Sequence, residues 1–457
     1  MLQDDVLLEI FDFYRKLVSR HNGMWKWRKL LHICQRWRYI VLASPRRLDL
    51  RIECDRRTPT WKLLDIWPPF PISVSYESWG ARGVHNIFAA LQRRNRISQI
   101  DFSRLTCGEL EQFAPAMDEP FPILTDLCVQ TFKADLPGVT AELPDSFLGG
   151  FAPCLQSFFL EGTAFPALPN LILSASHFHS LYLFGIPHAG YIPPEAMVAF
   201  LLPLHNLKGL TIGFTSPESR PLQTDPPSLT HALLPSLTKF GFHGASEYLV
   251  DFIARIDTPM LDSFHMRFLS DVIPNTSQLH TFIIRADRLK PFIQAEVYLG
   301  SCEVRAIFKP LANPGLNITC EVLDWPLPSM MRLYEQLLTI PSQVEQLELS
   351  EDWDELDFSV EDGWYEDLHS PLWLQLLIPF VSVKSLYVSK NLGPFVACAL
   401  ENLTGENVTQ VLPTLDNLFF EGFGSSGFVE ETIKSFVSTR QLSGRPVIVR
   451  CWEQEFP

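Results

Sequence analysis

The chain has 457 residues, 46% of them hydrophobic, and a formal net charge of −15, enough apolar material for a large core or several and a length that suggests two or three domains. No apolar run reaches membrane-spanning length, and the opening "MLQDDVLLEI" carries acid where a secretory signal needs base. Nine scattered cysteines without a Cys-x-x-Cys pair fit reduced thiols, so the expectation is a soluble intracellular protein, cytoplasmic or nuclear, with no membrane partner. In that setting the sequons at Asn275, Asn317, Asn402 and Asn407 carry little weight, because glycosylation needs a secretory route.

The first predicted element is a helix over "DDVLLEIFDFYRKL", residues 4 to 17. Asp4 can cap it, and Val6, Leu7, Ile10, Phe11 and Tyr14 have the spacing of a buried face. Leu8 and Phe13 fall elsewhere on the wheel, which leaves Asp5, Glu9 and Asp12 as a narrow polar stripe. An ordinary surface helix buries a stripe of roughly 100°; this one is apolar over more than half its circumference. A second helix is expected in "WRKLLHICQRWRYIVLASP", where Leu30, Cys34, Trp37 and Val41 follow i, i+4, i+7, i+11 and Pro45 ends the run. Residues 1 to 62 hold 14 Lys and Arg against 7 Asp and Glu, a local +7 that leaves −22 on the rest. A basic head can mean nucleic acid, or simply the solvated outer faces of two helices. No zinc spacing and no RNA-recognition aromatic motif accompanies it, so an acidic protein partner is expected and nucleic acid is not.

From about residue 70 short apolar strands alternate with Pro and Gly. "PFPISVSY" reads as a strand and "VHNIFAALQRRN" as the helix after it. A block then recurs in which an apolar residue, two variable ones, an apolar residue, a variable one and an apolar residue follow a turn. It reads "ISQIDF" at 97, "LTDLCV" at 124, "LQSFFL" at 155, "FHSLYL" at 178, "LKGLTI" at 207 and "LTKFGF" at 237. It continues with "LDSFHM" at 261, "LHTFII" at 279, "VEQLEL" at 344, "VKSLYV" at 383 and "LDNLFF" at 415. Most successive copies start some 18 to 31 residues apart. That is the pattern of leucine-rich repeats, whose single strands bury their inner residues only by stacking. "EAMVAFLLPLHN" and "ASEYLVDFIARI" read as helical returns, whereas "FPALPNLILSAS" is too short and Pro-rich for more than a turn or two. The Asn or Cys that usually closes the hydrogen-bond ladder after each strand is mostly absent, so the coil is irregular.

Two stretches break the cadence. Between "LHTFII" and "VEQLEL", extra strands are suggested at "QAEVYLGSCEVRAIF" and "LNITCEVLDW". Residues 348 to 368 then carry ten acids, no Lys or Arg, and the aromatics Trp353, Phe358, Trp364 and Tyr365. They form either an extended partner-binding loop or a solvated insertion whose rings fold back on the repeats.

The N-terminal stretch resembles an F-box. The resemblance is carried by Leu2, Val6-Leu7, Ile10-Phe11 and the "HICQRWRYIVLASPRRL" block around Cys34 and Trp37. It implies a small helical module docked on the Skp-type adaptor of a cullin–RING ubiquitin ligase. Leu2, Val6, Leu7, Ile10 and Phe11 would then reach the adaptor, and Leu30, Cys34 and Trp37 would pack the helices together. Gln3 stands where that family usually has Pro, and "RRLDL" replaces its usual Leu-Trp ending. Nearly the whole chain also resembles a large group of F-box and repeat proteins of mushroom-forming fungi, through blocks such as "RTPTWKLLDIWPPFPISV", "IPHAGYIPPEAM", "EYLVDFIARIDTP" and "STRQLSGRPV". That resemblance implies a substrate receptor and names no substrate.

No catalytic constellation is found. "GFGSSG" (Gly422, Gly424, Gly427), set between "LDNLFF" and "FVEETIKSFVSTR" with "PVIVRCWE" beyond, superficially meets a dinucleotide fingerprint. One βαβ unit gives no sheet with a switch point, and a glycine turn closing the last repeat accounts for it better. His177, His179 and His188 lack a carboxylate or thiolate companion for a metal. The expected fold class is therefore α/β. Residues 1–50 form an F-box-like helical module and 51–96 a connection with a first strand and helix. Residues 97–457 form an irregular leucine-rich-repeat solenoid. The expected role is non-catalytic, without cofactor or metal: a substrate receptor joining a target protein to a Skp–cullin–F-box ligase. The alternative is a free-standing repeat scaffold whose N-terminal helices cap the coil.

Overall fold

The computed structural model describes residues 3–19, 30, 32–42, 50–54, 59–67, 69–78, 83–132, 141–215, 231–269, 277–300, 303–310, 314–321, 328, 330–331, 340–352, 371–403, 407–422 and 427–452. The chain divides into two compact units, Met1–Tyr191 and Ile192–Pro457. The stretch read as repeats is carried by both. No helix among the described residues is long and apolar enough to cross a membrane.

In the first unit, helices α1 (Asp4–Ser19) and α2 (Gln35–Leu42) precede a wholly parallel sheet. Its strands β1 (Arg51–Glu53), β2 (Ile72–Glu77), β3 (Ile97–Leu105), β4 (Asp126–Thr131), β5 (Ser157–Glu161) and β6 (Ser180–Ile186) lie side by side in chain order. The segment expected as a connection thus supplies the first two strands. Returns between strands include α3 (Thr60–Ile66), α4 (Val84–Leu91), α5 (Cys107–Phe113) and α6 (Leu168–Leu173).

The recurring block explains this arrangement. In "LTDLCV", Leu124 enters below the strand while Leu127 and Val129 point inward from it, and all three are buried. The same triad is buried at every strand-forming copy, from Ile97, Ile100 and Phe102 to Leu415, Leu418 and Phe420. Alternation at period two turns the intervening side chains to the other face of the sheet. In place of a side-chain ladder, the backbone supplies the rungs. The Thr125 N–H donates to Ser98 O at 2.7 Å, Gln156 N–H to Thr125 O at 2.7 Å, and His179 N–H to Gln156 O at 2.8 Å. Hydroxyls reinforce them: Ser98 Oγ donates to the Ile72 carbonyl at 3.2 Å.

The second unit repeats this with β7 (Gly209–Phe214), β8 (Lys239–Gly244) and β9 (Ser263–Phe268), returned by α7 (Pro194–Leu201) and α8 (Ser246–Ile253). One expectation is corrected here. "LHTFII" is not a strand but part of α9 (Ser277–Arg285), with Leu279, Phe282 and Ile283 buried. Those positions are i, i+3 and i+4, a spacing that a helix satisfies as well as the strand template does. The strand beside β9 comes from farther along. A hairpin of β10 (Gln294–Gly300) and β11 (Glu303–Lys309) is followed by β12 (Gly315–Glu321), which pairs parallel with β9 and antiparallel with β11. β13 (Gln346–Asp352) then resumes parallel pairing on β10, and β14 (Ser385–Val388), β15 (Asn417–Glu421) and β16 (Ile448–Trp452) follow in order. The glycine-bearing stretch after β15 leads into α13 (Gly427–Leu442), preceded along the chain by α10 (Leu372–Leu377), α11 (Gly393–Glu401) and α12 (Asn407–Gln410). It is the return of the last repeat; Gly424 lies outside the described residues. Arg440 on α13 is fully buried and donates to the carbonyls of Val408 and Leu415 at 3.0 and 3.1 Å, tying that return to the turn before β15.

The first unit contains a buried carboxylate network. Thr106 and Glu109 form a capping box at the start of α5, and Glu109 also accepts from Tyr76 Oη at 2.7 Å and Ser78 Oγ at 3.0 Å. Burial pushes the Glu109 carboxyl up, but the hydrogen bonds from Thr106, Tyr76 and Ser78 outweigh it and hold the group below its ordinary value. A depressed carboxylate stabilises the fold above its unfolded pKa of about 4.3, and that contribution is lost as pH falls through the lower folded value. Glu109→Gln is expected to cost about 2 kcal/mol at neutral pH in urea denaturation, and the gap from the native chain should narrow below about pH 4. A gap independent of pH would show that the charge is not what the network holds.

Candidate functional site

The N-terminal helices bury a small core of their own. Leu7 and Phe11 of α1 pack with Leu30 and Ile40, with Leu8 and Trp37 against them, so among the described residues the cluster lies within positions 7 to 40. The Phe11 and Trp37 rings lie 4.8 Å apart at a tilt of 59°. Arg36 Nε donates to Asp4 Oδ1 at 3.1 Å, pinning the start of one helix to the other through an exposed pair of small energetic weight.

This divides the residues assigned to adaptor contact. Leu7 and Phe11 face inward, 3% and 7% exposed, whereas Val6 and Ile10 are 42% and 45% exposed and Phe13 reaches 66%. Val6, Ile10 and Phe13 are spaced i, i+4, i+7, one continuous stripe of α1, roughly a third of a turn from the stripe of Leu7 and Phe11. Ile33 and Tyr39 add exposed apolar surface on the second segment. Leu2 lies outside the described residues.

The module-core residues also divide. Leu30 is buried and Trp37 half-buried, but Cys34 is exposed. The expected second helix does not run unbroken: His32 and Ile33 form a turn, and α2 starts only at Gln35. Cys34 therefore precedes the helix instead of lying on its inner face, and its sulfur accepts from the Trp37 N–H at 3.4 Å.

The second candidate surface is the side of each sheet opposite the buried triads. In the first unit the registers align three rows across the strands. The first runs Arg51, Ser73, Gln99, Asp126, Ser157, Ser180, and the second Glu53, Ser75, Asp101, Cys128, Phe159, Tyr182. The third holds Gln130, Glu161 and Phe184. Phe159 and Tyr182 stack with centroids 4.0 Å apart and planes within 9°. A cavity of about 310 Å³ opens over this face. Burial raises the Glu161 carboxyl against the opposing effect of its bond from Gln130, and burial with Asp101 and Glu161 nearby pushes the Cys128 thiol up to about 12. The pattern "LQSFFL" and "FHSLYL" already placed an aromatic residue at the variable position between two inward residues, and that is the signal by which Phe159 and Tyr182 could have been found.

In the second unit the same face is densely paired. Arg267 meets Glu303 at 3.2 Å and Glu321 at 3.3 Å, Lys309 pairs with Glu296, and Arg305 lies over the Tyr298 ring at 5.7 Å. Burial and the cations Arg305 and Arg267 hold the His265 imidazole below its usual value despite Glu303. Tyr387 and Phe419 form another stack at 4.5 Å. The aromatics Trp353, Phe358, Trp364 and Tyr365 of the acidic stretch lie outside the described residues.

No family model matches the chain, and no curated protein does either. Among solved structures, the chain is similar to the leucine-rich-repeat-containing protein LegL7 from Legionella pneumophila. Identity is 12%, the match covers 87% of this chain and 99% of that one, and the TM-score is 0.27. A superposition that loose carries no argument, so the repeat architecture rests on the parallel registers and buried triads of this chain.

The two stripes of α1 predict opposite responses. Leu7→Ala should destabilise the helical module by about 2–5 kcal/mol, the cost of deleting a buried leucine, while Ile10→Ala changes it by less than about 1 kcal/mol. Hydrogen exchange of the amides in α1 measures both, and equal effects would show that the stripes are not distinct.

Proposed function

We propose that this chain is the substrate-receptor subunit of a Skp–cullin–F-box ubiquitin ligase, of the kind its N-terminal motif resembles. The observation that carries the reading is the outward stripe Val6, Ile10 and Phe13 on a helix whose other stripe, Leu7 and Phe11, is already covered by Leu30 and Ile40. An apolar i, i+4, i+7 stripe on a short helix is the form that docks into a partner's hydrophobic groove. A cap on the repeats would instead spend that stripe inside the chain. In this role Val6, Ile10 and Phe13, with Ile33 and Tyr39 beside them, meet a Skp-type adaptor, and Leu7 and Phe11 support the helix from within. The chain performs no chemistry itself. Its repeats hold a target protein, and tethering raises the effective concentration of the target's lysines near the ligase's loaded conjugating enzyme.

The full-length chain should co-elute with a purified Skp-type adaptor. Ile10→Asp should lower that affinity by at least about tenfold, since a carboxylate would be buried in an apolar groove, without shifting the thermal midpoint. A native chain that does not bind, or an Ile10→Asp variant that binds equally well, contradicts the proposal.

A further inference from the structure

The open face of the first unit's sheet has a charge pattern that the described residues leave unbalanced. Asp101, Cys128, Phe159 and Tyr182 are consecutive members of one row, so neighbouring side chains stand about one strand spacing, roughly 4.8 Å, apart. Asp126 precedes Cys128 by two residues on β4, and Glu161 follows Phe159 by two on β5, each on the same face. The hydrogen bonds these carboxylates accept come from neutral groups: Ser103 Oγ to Asp101 at 2.9 Å, Gln99 Nε2 and Thr125 Oγ1 to Asp126 at 3.2 and 2.7 Å, and Gln130 Nε2 to Glu161 at 3.1 Å. Among the described residues no Lys, Arg or His pairs with any of the three. The one cation lining the cavity, Arg51, stands three strands from Asp126 along its row. The second unit differs, since Glu296, Glu303 and Glu321 there each meet Lys or Arg.

The aromatic pair selects the shape of the missing cation. Phe159 and Tyr182 sit on adjacent strands with near-parallel rings, so their stack runs across the sheet. Tyr182 covers one face of Phe159; the other looks over the neighbouring strand, above the small side chain of Cys128. A planar group laid there continues the stack and meets Asp101 at its far edge, with Asp126 and Glu161 to either side. A guanidinium is planar, cationic and weakly hydrated, which suits stacking and carboxylate pairing at once.

We infer that this face captures a partner polypeptide through an arginine side chain laid over Cys128, stacked on Phe159 and paired with Asp101 and Glu161. The inference rests on the reading of the repeats as a target-holding surface and gives that target a chemistry: an exposed, arginine-bearing segment. The field felt at the Cys128 thiol agrees, because burial, Asp101 and Glu161 all disfavour a further negative charge there.

The test titrates the full chain with a fluorescent (Gly-Ser-Arg)3 peptide and its citrulline counterpart, which keeps the planar shape and loses the charge. The arginine peptide should bind at least about tenfold more tightly, in keeping with an ion pair and a cation–π contact made together. Asp101→Asn with Glu161→Gln should abolish that preference, and Phe159→Leu should reduce it while the thermal midpoint holds. Equal binding of the two peptides, no binding of either, or a preference untouched by these substitutions overturns the inference. Because the assay contains no adaptor, Ile10→Asp should leave peptide binding intact, so loss of ligase docking and loss of arginine capture are read separately.

Discussion

The structure depends on one constraint: a short parallel strand cannot bury its own inner residues. Leu124, Leu127 and Val129 are buried where β3 and β5 flank β4 with triads of their own. Each triad is at once core for its own repeat and wall for the next. The rungs Thr125–Ser98, Gln156–Thr125 and His179–Gln156 hold successive strands in step, so the triads meet in register. The opposite face is then left free, because nothing in the stacking requires any particular side chain there. Asp101, Glu161 and the Phe159–Tyr182 stack occupy positions the fold does not dictate, and such positions are open to selection for a partner.

The helical module obeys the same constraint at smaller scale. Among the described residues this module shares Leu7, Phe11, Leu30 and Ile40 as its core, with Leu8 and Trp37 at the margin. Such a core is marginal by itself. A helix with one apolar stripe would stop there; α1 carries a second, and an outside polypeptide laid on it would bury the stripe and add to the stability of the module. Docking and folding of this segment would then be coupled.

Much of this was legible in the sequence, and the misses have physical causes. The triad pattern located ten strands, since an inward residue at every second position leaves a signature that burial enforces. "LHTFII" deceives because its spacing satisfies both the strand template and a helix, and nothing within the block itself distinguishes the two. The hairpin β10–β11 was visible as strands, but pairing partners are a long-range property, and nothing local announces that β12 lies beside β9. At the N-terminus the wheel puts Val6 and Ile10 on one buried face with Leu7 and Phe11, but Leu30 and Ile40 cover only the Leu7–Phe11 side, and Val6 and Ile10 stay exposed. Cys34 was placed in the core by a helical period that the turn at His32 and Ile33 interrupts.

If the outward stripe of α1 is a docking surface for another protein, an adaptor laid on it will shield that helix. Hydrogen–deuterium exchange of the full chain, with and without a Skp-type adaptor, tests it directly. The adaptor should slow exchange in the amides around Val6 to Phe13 and leave strands β3 to β6 unchanged. Exchange in α1 that ignores the adaptor, or protection confined to the repeats, would contradict it.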